Sequence, residues 1–145
     1  MRAATHKGGE IRIRDGAPLA TGVACRQSID PTHWTWKVLL SYQWKEPGQH
    51  INVLETAAVL DVLRKLCRES KHHHKRYAIL IDNQTALSAL AKGRSSARAL
   101  QSPLRRIGAI LVAGGVVLHP GWVKSKWNPA DGPSRWAAKR HAHGA

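Results

Sequence analysis

Acidic side chains are scarce: nine Asp and Glu stand against 23 Lys and Arg, giving a formal net charge of +14. An excess of that size repels itself unless a polyanion takes it up, and nucleic acid is the usual polyanion. The basic residues are spread through the chain rather than set on one helix face opposite bulky apolar residues, so a membrane-surface helix is not indicated. Cysteine is scarcer still. Cys25 and Cys67 fit neither a disulfide framework nor a zinc-knuckle spacing, and a reducing compartment, cytoplasm or nucleus, is expected. Cys67 lies in an apolar stretch and is expected to be a small buried hydrophobe. No apolar run reaches the roughly 18 residues of a bilayer span. The first 13 residues carry charges but no apolar core, so they do not read as a secretory signal.

What is present suffices for one globular domain: 145 residues, 43% of them hydrophobic, can bury a real core. The first thirty residues are rich in Gly and charge, with one weak strand candidate at 10–14. Residues 34–44, rich in aromatic and β-branched types, read as a strand or hairpin arm, broken by Pro47-Gly48. Between 52 and about 69, Val53, Leu54, Ala57, Ala58, Leu60, Leu63, Leu66 and Cys67 recur at intervals of three and four, which predicts an amphipathic helix. Tyr77-Ala78-Ile79-Leu80-Ile81 is a short bounded apolar run and reads as a buried strand. A helix from Gln84, ended by Gly93, precedes a second at about 97–113, where Pro103 predicts a kink or a split. A last strand is expected over 116–124, interrupted or ended at Pro120-Gly121. Strands alternating with helices predict an α/β domain with a mixed sheet.

With so few acids, each one beside an apolar element needs a reason. Glu55 opens the predicted amphipathic helix, Asp82 ends the buried strand and Asp131 follows the last strand. Carboxylates converging from such places suit hard divalent cations, and two such ions together can promote phosphodiester cleavage. Each acid also has a plainer reading. Asn52 and Glu55 can form a capping box, and Asp82 and Asp131 can be turn residues. Trp34, Trp36 and Trp44 share a strand face and read as core or helix-covering residues. Trp127 and Trp136 are better placed to stack on bases. His72-His73-His74 reads as a solvated basic turn, with transition-metal binding as the alternative.

Three stretches together resemble the ribonuclease H domains of reverse-transcribing retroelements: His50-Ile51-Asn52-Val53-Leu54-Glu55, Ile81-Asp82-Asn83-Gln84-Thr85-Ala86-Leu87 and Asn128-Pro129-Ala130-Asp131-Gly132-Pro133-Ser134-Arg135. Ala91-Lys92-Gly93-Arg94-Ser95-Ser96 and the Trp-rich lead-in add to the match, which spans about 30–136. The Asn-Pro-Ala-Asp-x-x-Ser-Arg element is its most specific part. The resemblance implies a ribonuclease-H-like fold: a mixed five-stranded sheet flanked by helices, its N-terminal strands irregular or incomplete here. It implies a segment 1–29, a domain 30–136 and a basic tail 137–145.

It further implies a two-metal endonuclease that cuts the RNA strand of RNA–DNA hybrids, with Glu55, Asp82 and Asp131 holding two Mg²⁺ or Mn²⁺ ions. A fourth carboxylate belongs on the first strand of such a fold. Asp15 is the candidate and Asp30 its competitor, although Pro31 after Asp30 suggests a turn there. Nucleic-acid contacts are expected from Asn83 and Gln84 in the minor groove, from Lys92, Arg94 and Ser95 ahead of a helix, and from Lys124, Lys126 and Arg135 around Asp131. A reverse transcriptase domain in a longer polyprotein is a possible companion. Two other readings stay open: a non-cutting binding domain of the same fold, and an integrase- or resolvase-like DNA nuclease.

Overall fold

The structure is a computed structural model that describes residues 2–6, 30–41 and 48–132. The strand expected at 10–14, Asp15, Cys25, Trp44, Arg135, Trp136 and the tail 137–145 lie outside the described residues.

Among the described residues the strands and α-helices follow in the order β1 (Arg2–His6), β2 (Trp36–Ser41), α1 (Ile51–Leu66), β3 (Arg76–Ile81), α2 (Gln84–Lys92), α3 (Arg98–Gly114) and β4 (Val117–Trp122), with short 3-10 turns at Ser70–His72 and Ser125–Trp127. The chain is thus mixed α/β. Its described strands form two two-stranded sheets, β1 antiparallel to β2 and β3 parallel to β4. A parallel pair needs a long crossover, and here α2 and α3 supply it. The strand at 34–44 starts later than the aromatic pattern suggests. Trp34 precedes β2 and lies 5.7 Å from Trp36 between ring centroids, while the Trp36 indole donates to the Pro31 carbonyl. Trp34 therefore does not share a strand face with Trp36.

The core is made where the helices cover β3. Val59, Leu60 and Leu63 of α1 meet Ile81, Ala86, Leu87 and Ile107, and a second group joins Ala89, Leu100 and Leu104 with Val53 against it. Each fully buried Leu contributes about 1.5–3 kcal/mol. Thr56 is fully buried, and its hydroxyl donates to the Asn52 carbonyl at 2.8 Å, so no polar group is stranded. At the edge of the sheet, the Lys65 ammonium donates to the Leu39 carbonyl at 3.1 Å and ties α1 to β2.

Neither Pro103 nor Pro120 divides its element. Helix α3 runs unbroken through Pro103. The bond that Pro103 cannot make would have gone to Ala99, which is exposed, so water can take that carbonyl. Strand β4 likewise runs through Pro120-Gly121 without interruption. The N–H groups of Val117 and Val123 donate to the Lys75 and Ile81 carbonyls. Alternation along a parallel strand then turns the odd-numbered residues toward β3 and position 120 away from it. The donor that Pro120 lacks is one the β3 pairing never uses.

Candidate functional site

The start of α1 is capped by His50, whose Nδ1 accepts the Asn52 N–H at 3.2 Å. Asn52 is therefore not the N-cap, and no capping box forms with Glu55. The Asn52 side chain is released for a longer reach: its Oδ1 accepts from Asn83 Nδ2 at 2.7 Å. Asn83 in turn caps α2, its Oδ1 accepting the Ala86 N–H at 3.0 Å. One carboxamide thus starts α2 and clamps the beginning of α1 to the end of β3.

That clamp brings two acids together. Glu55, one helical turn into α1, is half-buried, and so is Asp82 just past β3. Burial raises the Glu55 pKa above its ordinary value, and the negative charge of Asp82 raises it further. Among the described residues the ion pairs are Arg64 with Asp61 and Lys71 with Glu69. Neither Glu55 nor Asp82 has a cationic side-chain partner there, despite a net charge of +14.

Asp131 reaches this region through a turn. Asn128 Nδ2 donates to Asp82 Oδ2 at 3.0 Å, and Asn128 Oδ1 accepts the Ala130 N–H at 3.0 Å. The Asp131 N–H donates to the Asn128 carbonyl at 3.1 Å. Asn at the first and Pro at the second position are the residues such a turn favours. The motif Asn-Pro-Ala-Asp therefore docks one end on Asp82 and carries Asp131 three residues on. Among the described residues, no three His, Cys, Asp or Glu side chains stand close enough to hold a metal ion. Glu55 and Asp82 are paired and Asp131 hangs from the turn docked on Asp82. Asp15 is not among the described residues.

A hard divalent cation fits the donor chemistry of the pair, which is all oxygen, partly desolvated and, among the described residues, without a side-chain counter-charge. The sequence offers Asn52 as a cap and Asn128 as part of the most specific motif, but neither as a residue that positions an acid. For Asn128 a signal existed, since Asn before Pro opens turns; for Asn52 there was none, because its partner is remote in sequence.

The expected nucleic-acid contacts divide. Gln84, Lys92, Arg94, Lys124 and Lys126 are exposed. Asn83 is committed at both ends of its carboxamide, to Ala86 and to Asn52. Ser95 uses its Oγ to accept the Ala97 N–H at 3.1 Å. The ammonium groups of Lys124 and Lys126 lie 4.8 and 5.1 Å from the centre of the Trp127 ring, so lysines cover the ring expected to stack on bases. The histidine run ends in a turn with basic, exposed flanks as expected, but His72 and His73 are half-buried and bonded, and among the described residues it forms no metal-holding cluster. His72 Nδ1 bonds the Tyr77 hydroxyl at 2.6 Å, His73 Nε2 bonds the Cys67 carbonyl at 2.9 Å and the His74 N–H donates to the Gly114 carbonyl. Cys67 itself is half-buried at the end of α1 rather than fully enclosed, and burial raises its thiol pKa.

Comparison with known proteins finds no family model that matches the chain, and no curated protein or solved structure significantly similar to it.

Proposed function

We propose that this chain is a ribonuclease-H-like domain that binds an RNA–DNA hybrid and hydrolyses its RNA strand with divalent metal ions. The observation that carries the reading is the Glu55–Asp82 pair. Two like charges brought together in a partly desolvated place are unfavourable by themselves, and a strongly basic protein has ample lysine and arginine to neutralise them. Among the described residues no cationic side chain pairs with either acid, which suits a site meant for a metal cation.

In this reading Glu55 and Asp82 hold Mg²⁺ or Mn²⁺, with Asp131 delivered by its turn and Asp15 as the fourth carboxylate. The metal supplies activation of water and stabilisation of the leaving oxygen. The protein's own work is to hold Glu55 beside Asp82, where a bound cation would offset the repulsion between the two carboxylates, and to fix the Asp82 carboxylate through Asn128. Lys92, Arg94, Lys124, Lys126 and Arg135 bind the backbone phosphates, which position the hybrid without reading its sequence. The parallel β3–β4 pair with α1 packed beside it forms part of the proposed five-stranded sheet. A reverse transcriptase domain is the natural neighbour in a longer polyprotein.

The test is cleavage of an end-labelled RNA–DNA hybrid with Mg²⁺ or Mn²⁺. Glu55→Gln and Asp82→Asn should each lower cleavage by at least about a hundredfold while the proteins stay folded. Full activity in either variant would remove these residues from the site. Tight hybrid binding by the unaltered chain with no cleavage would leave a binding domain in place of an enzyme.

A further inference from the structure

Between Asp82 and Asp131 the sequence contains no Asp or Glu, and every charged residue in that stretch is Lys or Arg. The longest element there is α3, and its orientation is settled by burial. Leu100, Leu104, Ile107 and Gly114 are buried. At 100° per residue they mark one face of the helix. Arg98, Ser102, Arg105 and Ala109 fall on the opposite face, with Arg106 on its flank, and all five are exposed.

A solvated helix surface ordinarily carries acids three or four residues from its bases. On α3 there are none, and none of its three arginines forms an ion pair among the described residues. Arg98 and Arg105 stand two turns apart, about 10 Å along the axis. Arg94 sits exposed in the loop just before the helix. The N-terminal half of α3 also belongs to the same end of the molecule as the carboxylates. Leu100 and Leu104 share a cluster with Val53, two residues from Glu55 on α1.

We infer that the exposed ridge of α3, Arg98, Arg105 and Arg106 with Arg94 beside it, binds the phosphate backbone of a nucleic-acid duplex. The ridge extends the binding track beyond the residues around the carboxylates. It rests on the nucleic-acid part of the proposed function and not on the cleavage chemistry. An anionic membrane is the other polyanion, but on this face Ser102 lies between Arg98 and Arg105, and the exposed large apolar side chain of α3, Val112, stands alone two turns beyond Arg105, too little to insert.

The experiment measures binding of the full chain to a fluorescent RNA–DNA hybrid of about 20 base pairs at several salt concentrations. The variant is Arg98→Gln/Arg105→Gln/Arg106→Gln, which keeps helix propensity and removes only exposed groups. The slope of log affinity against log salt should fall by about 2–3, roughly one for each phosphate that an arginine no longer neutralises. Affinity near 0.1 M salt should drop by at least about tenfold. The corresponding triple Lys variant should recover most of the slope, and Arg64→Gln on α1 should leave it unchanged. An unaltered slope in the triple Gln variant, with its thermal melt preserved, overturns the inference. So does a larger loss of binding to phosphatidylserine vesicles than to the hybrid. If the triple Gln variant shows the reduced slope while the unaltered chain never cleaves the hybrid, the ridge stands and the enzymatic reading fails. Cleavage by the unaltered chain with an unchanged slope in the variant gives the reverse.

Discussion

Burial and the neighbouring charge of Asp82 both favour the protonated form of Glu55, so this residue ties stability to pH in a defined direction. Its folded pKa is raised, and between the unfolded and folded values the native state holds the extra proton. Stability therefore falls as pH rises through that window. The advantage is complete below the ordinary glutamate value of about 4.3 and is lost as the pH climbs through the raised one. Gln at position 55 cannot ionise. Without divalent metal, unaltered protein should be as stable as Glu55→Gln at the acid end of the window and progressively less stable than it toward neutral pH. Urea denaturation midpoints of the two proteins from about pH 4 to about pH 7 check this. A gap that stays constant would mean that the Glu55 carboxyl is not in the environment described. Adding Mg²⁺ at neutral pH should raise the midpoint of the unaltered protein and leave Glu55→Gln nearly where it was.

Helix ends show which parts of this chain were legible in sequence. The periodicity that predicts α1, the bounded apolar run of β3 and the stop at Gly93 are local signals, and the structure follows them, except that β3 is buried only at Ile81 and is half-buried or exposed along the rest of its length. The errors came where the outcome depends on a partner. Pro120 is harmless because the strand pairs on the other side, and Pro103 because Ala99, whose carbonyl loses its partner, is exposed; neither fact is written in the neighbouring residues. The carboxylate pair was legible through its flanking motif, while the Asn52–Asn83 and Asn128–Asp82 bonds join residues 31 and 46 apart, so neither partner can be read from the neighbouring residues. Two glycines make the contrast testable. Gly93 and Gly115 both end helices with positive φ, 64° and 59°. A side chain at 93 meets open space, whereas at 115 it would collide with the His74 ring. Gly93→Ala should cost about 1–2 kcal/mol, the left-handed backbone alone. Gly115→Ala should cost more, because the ring packed under the end of α3 must also move. Chemical denaturation of both variants measures the difference, and equal losses would mean that His74 yields freely.

At the scale of the whole molecule, charge is arranged rather than balanced. The stretch between Asp82 and Asp131 is free of acids, the arginines of α3 point into solvent, and Lys124 and Lys126 gather over Trp127 beside the turn that carries Asp131. At low ionic strength these charges repel one another across the folded surface over roughly 30 Å at 0.01 M salt, a range that shrinks to about 3 Å at 1 M. The unfolded chain, being expanded, relieves much of that repulsion. A net +14 should therefore make the native state less stable in dilute buffer than in moderate salt. Thermal melts in about 0.02 M and about 0.5 M KCl should show the midpoint rising with salt. For a chain of this size a rise of about 3–6 °C corresponds to roughly 1 kcal/mol. A duplex added at low salt should give a rise of the same sign at micromolar concentration, because it neutralises the basic face directly and binds the compact folded form more tightly than the expanded chain. Salt and duplex should then substitute for each other, so that the duplex shifts the midpoint little at about 0.5 M KCl. A midpoint that falls as salt is added would show that attractive ion pairs outweigh the repulsion. The basic surface would then already be neutralised within the fold, leaving little of its charge for an external polyanion.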